Sequence, residues 1–220
     1  MSHFTPRRKH LAGVAGLILL AFPLAACGDD DGGSEGGSDS APQALAAIPA
    51  LKGETTAVKL DTGFTDALGT LKLTPGVFGT AKLTDGSLVF PITGGNVSVY
   101  TPGEVENYVV GQIQHEGSGF TLTAGGTEVA IGNFNVDPGI SKVYGDVSVN
   151  GEVAATSVDI FDLDGRTLMP LAMEGSNAVL EGTKVLLTDT AAGLLGSTFD
   201  TDAVAGGLLI GVAKITVNTK

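Results

Sequence analysis

Residues 120–131, FTLTAGGTEVAI, alternate apolar and polar side chains on either side of Gly125-Gly126. A period of two sends successive side chains to opposite faces of a β-strand, and a two-residue mirror-image turn needs the positive backbone angles that glycine adopts freely. The stretch therefore predicts two antiparallel strands and a tight hairpin. Residues 81–90, AKLTDGSLVF, repeat the pattern through Asp85-Gly86, and residues 146–155, DVSVNGEVAA, repeat it through Asn150-Gly151. Three such signals in one chain predict an all-β, mainly antiparallel fold, a sandwich or a barrel.

Further strands are expected at Thr56 to Leu60, Asn96 to Tyr100, Tyr108 to His115 and Val212 to Thr219. Only two short helices are expected. One is Thr62 to Leu68 behind Asp61 as a cap, and the other is Thr190 to Phe199 behind Thr188-Asp189. The two places are alike, since Leu60 stands eight residues before Leu68-Gly69 and Leu187 stands eight before Leu195-Gly196. Duplication and a shared way of closing a β-structure both account for that likeness. The glycines of GGLLIG, 206–211, lack dinucleotide-fingerprint spacing and precede a strand, so they read as a bend before the last strand.

At the other end of the chain, Arg7, Arg8 and Lys9 precede LAGVAGLILLAFPLAAC, which carries no charge from Leu11 to Cys27. A basic start, a short apolar run and small residues before a cut site are the parts of a secretory signal. The 14 apolar residues from Leu11 to Leu24 fall short of a spanning helix, which needs roughly 18 or more. Leu24-Ala25-Ala26-Cys27 resembles the lipobox of bacterial lipoproteins. That resemblance implies a signal over residues 1–26 and a mature chain acylated at Cys27 and held at a membrane. Residues 27–44 then form a lipidated start and an acidic Gly/Ser/Asp linker, too polar to offset the entropy of ordering. The remaining 45–220 is long enough for one β-rich extracytoplasmic domain.

Charge limits the partners. Losing Arg7, Arg8 and Lys9 takes the net charge from −12 to −15, and setting aside the five acids of the linker leaves −10 on the domain. Such a surface repels phosphate backbones, so nucleic acid is not an expected partner. Composition limits the chemistry too. Cys27 is the only cysteine, which removes thiol nucleophiles, disulfides and thiolate metal sites from the domain. Asp159, Asp162 and Asp164 in DIFDLDG do not fit a calcium loop, because Ile160 and Leu171 would fall at required ligand positions. They are expected to face solvent, with Gly165 turning the chain. A Gly-x-Ser-x-Gly elbow is absent, and Ser118 is expected in a turn rather than in a triad. Aromatic residues are 5% with no Trp, which weakens carbohydrate stacking.

His115 is the only histidine outside the signal, and Tyr100, Tyr108 and Tyr144 are the only tyrosines. Around it, FPITGG at 90–95, VVGQIQHEGSGFTLTAGGTEVAI at 109–131 and VYGDV at 143–147 resemble the core of the bacterial haem-binding surface domains called HtaA. LTDTAAGLLGSTF at 187–199 resembles the C-terminal segment of the same family. The resemblance implies haem held by a tyrosine near the domain's start, with the histidine supporting it. Here AVKLDTGFTDAL places Ala67 where that tyrosine is expected, leaving His115, Tyr100, Tyr108 and Tyr144 as candidate ligand-binding residues. The sequence thus points to an anchored extracytoplasmic lipoprotein that is not an enzyme, with a binding, adhesive or envelope-structural role and no cofactor. Haem capture of the HtaA type is the alternative. Without that partner, His115 is expected to be exposed or hydrogen-bonded beside a turn.

Overall fold

The computed structural model describes residues 41–219. The expected signal, Cys27 and nearly all of the expected linker lie outside the described residues. Thirteen strands are present: β1 (Ala46–Ile48), β2 (Glu54–Leu60), β3 (Thr74–Gly79), β4 (Lys82–Thr84), β5 (Ser87–Pro91), β6 (Gly94–Val99), β7 (Val109–Ala124), β8 (Thr127–Asp137), β9 (Lys142–Val149), β10 (Glu152–Asp164), β11 (Ala172–Glu174), β12 (Asn177–Leu187) and β13 (Leu209–Asn218). Two helices join them, α1 (Thr62–Thr70) and α2 (Asp189–Phe199). All named strand pairs are antiparallel, in the order β1-β6-β7-β8-β9-β10-β12-β13-β2-β5-β4, with β3 beside β7 and β11 beside β12. The expected all-β class holds.

The three hairpins form where the turn dipeptides predict. Asp85-Gly86, Gly125-Gly126 and Asn150-Gly151 all take positive φ, between 52° and 85°, as the mirror-image turn demands. The sheet curls into a half-barrel because β5 and β6 are nearly one strand, broken at Ile92-Thr93. Its first half pairs with β2 and its second with β7. At the break Ile92 N donates to Glu54 O and Thr93 N to Gln114 O, both at 2.8 Å. The two limbs of the sheet are thereby joined.

The sequence HEGSG is not a turn. β7 runs through it as a bulge, with a register shift against β8 between His115 and Gly119 and with Gly117 at φ +67°. Across the shift β7 advances four residues against two on β8, and the inward-facing parity changes on both strands. Ile113 and His115 are buried before the bulge, and Phe120 and Leu122 after it. Asn133, itself at positive φ, locks the bulge: its Oδ1 accepts from Gly117 N at 2.9 Å and its Nδ2 donates to Asp146 Oδ2 at 3.0 Å. Asp146 Oδ1 in turn accepts from Ser157 N in β10. One polar chain therefore ties together the irregular points of four neighbouring strands.

The helices cap one end of the half-barrel. Asp61 accepts from Gly63 N and Thr188 from Ala191 N, each filling the N-cap role expected of it. Phe64 and Leu68 of α1, and Ala191, Ala192 and Leu195 of α2, are buried in the same core as Leu122, Ile131 and Ile160. The likeness between the two strand-then-helix units has a common cause. β2 and β12 are the two neighbours of β13, and Asp61 N and Leu187 N donate to Ile210 O and Leu208 O at its start. Among the described residues the buried core runs from Leu51 to Val217.

Candidate functional site

The end opposite the helices is not filled. A cavity of about 420 Å³ lies there, within the roughly 300–1,000 Å³ usual for small-molecule sites. Its wall is built by inward-facing residues of the curled sheet, among them Val97, Ile113, Val136, Val143, Val185 and Ile215. Alternation puts one aliphatic side chain inward every second residue, and the curl brings those rows round one space. Phe90, Phe134 and Phe161 lie at the inner end of the cavity, with Phe90 and Phe134 edge to face at 5.2 Å and Phe134 and Phe161 at 6.0 Å. Phe120 stacks on Phe134 and Phe161 on the other side, where helix-end packing begins. The polar residues of the lining are Thr56, Asn107, Tyr108, His115, Ser141, Arg166 and Thr183.

His115 sits among the phenylalanines, opposite Phe134 in the β7–β8 register and 6.2 Å from the Phe90 ring. It is 1% exposed, not the exposed residue that was one expectation, and it is hydrogen-bonded on both nitrogens. Nδ1 lies 2.9 Å from Pro91 O, and Nε2 lies 3.1 Å from Thr56 Oγ1. A carbonyl only accepts, so Nδ1 carries the proton and Nε2 accepts from the Thr56 hydroxyl. Burial pushes the imidazole pKa below its ordinary 6.5, against the smaller opposite pull of the Pro91 carbonyl. The ring is a neutral cross-link between β7, β5 and β2.

Of the tyrosines, only Tyr108 lines the cavity with His115. Tyr100 joins Tyr108 through its backbone, its N–H donating to Tyr108 O at 2.7 Å, but its side chain is not in the lining. Tyr144 follows the cavity-lining Val143 on β9, and alternation turns it to the outer face. Thr56 is the neighbour of His115 that sequence reading passed over. It stands 59 positions from His115, and no local pattern links residues so far apart.

The Thr56–His115 pair has the donor and acceptor of a nucleophile and its base, but the second ring nitrogen meets a backbone carbonyl instead of the carboxylate that orients such a base. Ser118 Oγ donates to the His115 backbone carbonyl at 3.2 Å, and not to its ring. The aspartates of DIFDLDG are pinned. Lys142 Nζ lies 2.8 Å from Asp159 and 2.6 Å from Asp162, and Arg166 pairs with Asp164 at 2.7 Å. Those two carboxylates hold the Lys142 ammonium above the ordinary lysine range. Among the described residues, no group of three or more His, Cys, Asp or Glu is placed to hold a metal ion, and no helix is long and apolar enough to cross a membrane.

No family model and no curated protein matches the chain. Two solved structures match it at low identity. The C-terminal domain of HtaA from Corynebacterium glutamicum matches with a TM-score of 0.52 and 13% identity, over 77% of this chain and 98% of that one. The haem-binding protein HtaB from the same organism matches with a TM-score of 0.39 and 10% identity, over 79% and 96%. The half-barrel with few helices is thus a fold this chain shares with the HtaA domain.

Proposed function

We propose that this chain is an extracytoplasmic, non-catalytic capture protein that takes an apolar molecule into the open end of its half-barrel. The observation that carries the reading is the cavity itself. One end of the core is packed by α1 and α2, while the other leaves about 420 Å³ lined by aliphatic and phenyl groups. Close packing is the norm in protein interiors, and voids well above the size of a water are few. An apolar space of this size costs stability unless a ligand fills it.

The test is saturable binding of a neutral fluorophore, N-phenyl-1-naphthylamine, to residues 41–220. One site per chain is expected, lost when Val143→Trp fills the space. Absence of saturable binding, or binding untouched by that substitution in a folded variant, refutes capture in this cavity.

The lipobox resemblance supports an anchor at Cys27. Cys27→Ser is expected to release the protein from the membrane fraction; equal recovery there refutes the anchor.

Haem capture is a second reading, and the fold likeness to the HtaA domain favours it. In it Tyr108 is the lining residue that would have to offer an oxygen to iron. The reading predicts a Soret band on adding haemin that Tyr108→Phe diminishes. No shift of the haemin spectrum would end it.

A further inference from the structure

Apart from the Tyr108 hydroxyl, the lining offers haem no free axial donor, and that scarcity narrows the ligand. Iron asks for an axial donor, and the macrocycle brings two carboxylates that ask for cations. Ala67 stands where the resemblance expects a ligating tyrosine, and no residue of α1 lines the cavity. His115 is buried with both nitrogens engaged. At the mouth Arg166 is forked onto Asp164, its Nε and Nη2 lying 2.9 and 2.7 Å from the two carboxylate oxygens, and nearby Lys142 is held by two aspartates. No lining cation is left over for an anionic group. The domain's charge of −10 further disfavours one.

Resting on the capture reading, we infer that the cavity takes the single hydrocarbon chain of an amphiphile whose uncharged head stays at the mouth. The wall is built of Val, Ile, Leu and Ala side chains around about 420 Å³, a space that suits a flexible chain, with Phe90, Phe134 and Phe161 packed together in the same lining. The lining polar groups not spent on an ion pair include the Tyr108, Ser141 and Thr183 hydroxyls and the Asn107 amide, whose Nδ2 donates to Gly139 O at 2.8 Å. Those are neutral donors and acceptors, matched to hydroxyls or esters. Leu171, Met169, Met173, Ile140 and Leu45 are exposed, and each lies at, or within two residues of, a lining position. An apolar border of this kind offers a path for a chain to enter without crossing water.

The experiment is calorimetric titration of residues 41–220, which form one compact unit, with three probes: monoacylglycerols of increasing chain length, the matching free fatty carboxylates at pH 8, and haemin. One monoacylglycerol per chain is expected. Affinity should rise about fourfold per added methylene until the cavity is full, with the carboxylate weaker by about tenfold. Val143→Trp is expected to abolish binding; should it not fold, Val99→Trp fills the same space from β6. Tighter binding of the carboxylate, or affinity independent of chain length, overturns the inference. Haemin binding tightest, with a Soret band lost in Tyr108→Phe, also overturns it while capture itself survives. Failure of all three probes and of the neutral fluorophore sinks capture as well.

Discussion

Thr56→Val changes one hydroxyl to a methyl at a residue only 6% exposed, so nearly all of its effect passes through His115. In the native protein that hydroxyl donates to Nε2 at 3.1 Å. Removing it leaves a buried nitrogen lone pair without a donor, and water cannot replace it at a ring that is 1% exposed. Losing one partner of a buried pair costs about 1–3 kcal/mol, whereas removing both is close to neutral. A central loss of about 1.5 kcal/mol corresponds to a fall in Tm of about 3–6 °C for a domain of this size. The assay is a double-mutant cycle by urea and thermal unfolding, using wild type, Thr56→Val, His115→Leu and both together. In the His115→Leu background Thr56→Val should cost almost nothing, which gives a coupling of about 1–2 kcal/mol. A cost for Thr56→Val that is the same in both backgrounds would show that the hydroxyl stabilises the fold by some other contact, and the account of the pair would be wrong.

Three further outcomes follow from the same geometry. His115 is held neutral, with its pKa below 6.5, so the unfolded chain takes up a proton before the native one as pH falls. Its contribution is therefore complete above about pH 6.5 and is lost below it, by at most about 1.4 kcal/mol per unit. Urea midpoints at pH 7.5 and 5.5 should differ more in wild type than in His115→Leu, and equal differences refute the assignment. Gly132→Ala would set a Cβ 2.5 Å from both Phe78 Cζ and Ser118 O, so a destabilisation of about 2–3 kcal/mol is expected, measured by urea unfolding; a change under about 0.5 kcal/mol refutes that packing. Thr188→Ala removes the α2 cap and a 2.7 Å bond to Asp159 O. It should cost about 1–2 kcal/mol, more than the exposed cap Asp61→Ala at α1, and the reverse order would contradict the burial difference.

Local chemistry made much of this fold legible in advance. Asn-Gly, Asp-Gly and Gly-Gly turns depend on two residues' own backbone freedom, and the caps Asp61 and Thr188 act over three positions or fewer, so both kinds of feature are written where they act. The bulge at His115 to Gly119 was not legible, because it is set by Asn133 on the next strand. Strand β3, with Pro75, Gly76 and Gly79 in it, shows no alternation and exists because β7 offers it an edge. Nor did DIFDLDG read as strand, since its aspartates are stabilised by Lys142 on β9.

The candidate site divides along the same line. That His115 was the histidine to watch is plain from composition, and its strand was plain from alternation. Its burial, its tautomer and its partner Thr56 were settled only when the curl of the sheet brought β2 and β5 against β7. The cavity is the extreme case, for its lining is shared among ten strands that contribute only a few side chains each. Period-two patterning records that a residue faces inward, yet whether that inside is filled or hollow depends on how the rows meet. That meeting is a sum over distant segments, which a chain read in order does not contain.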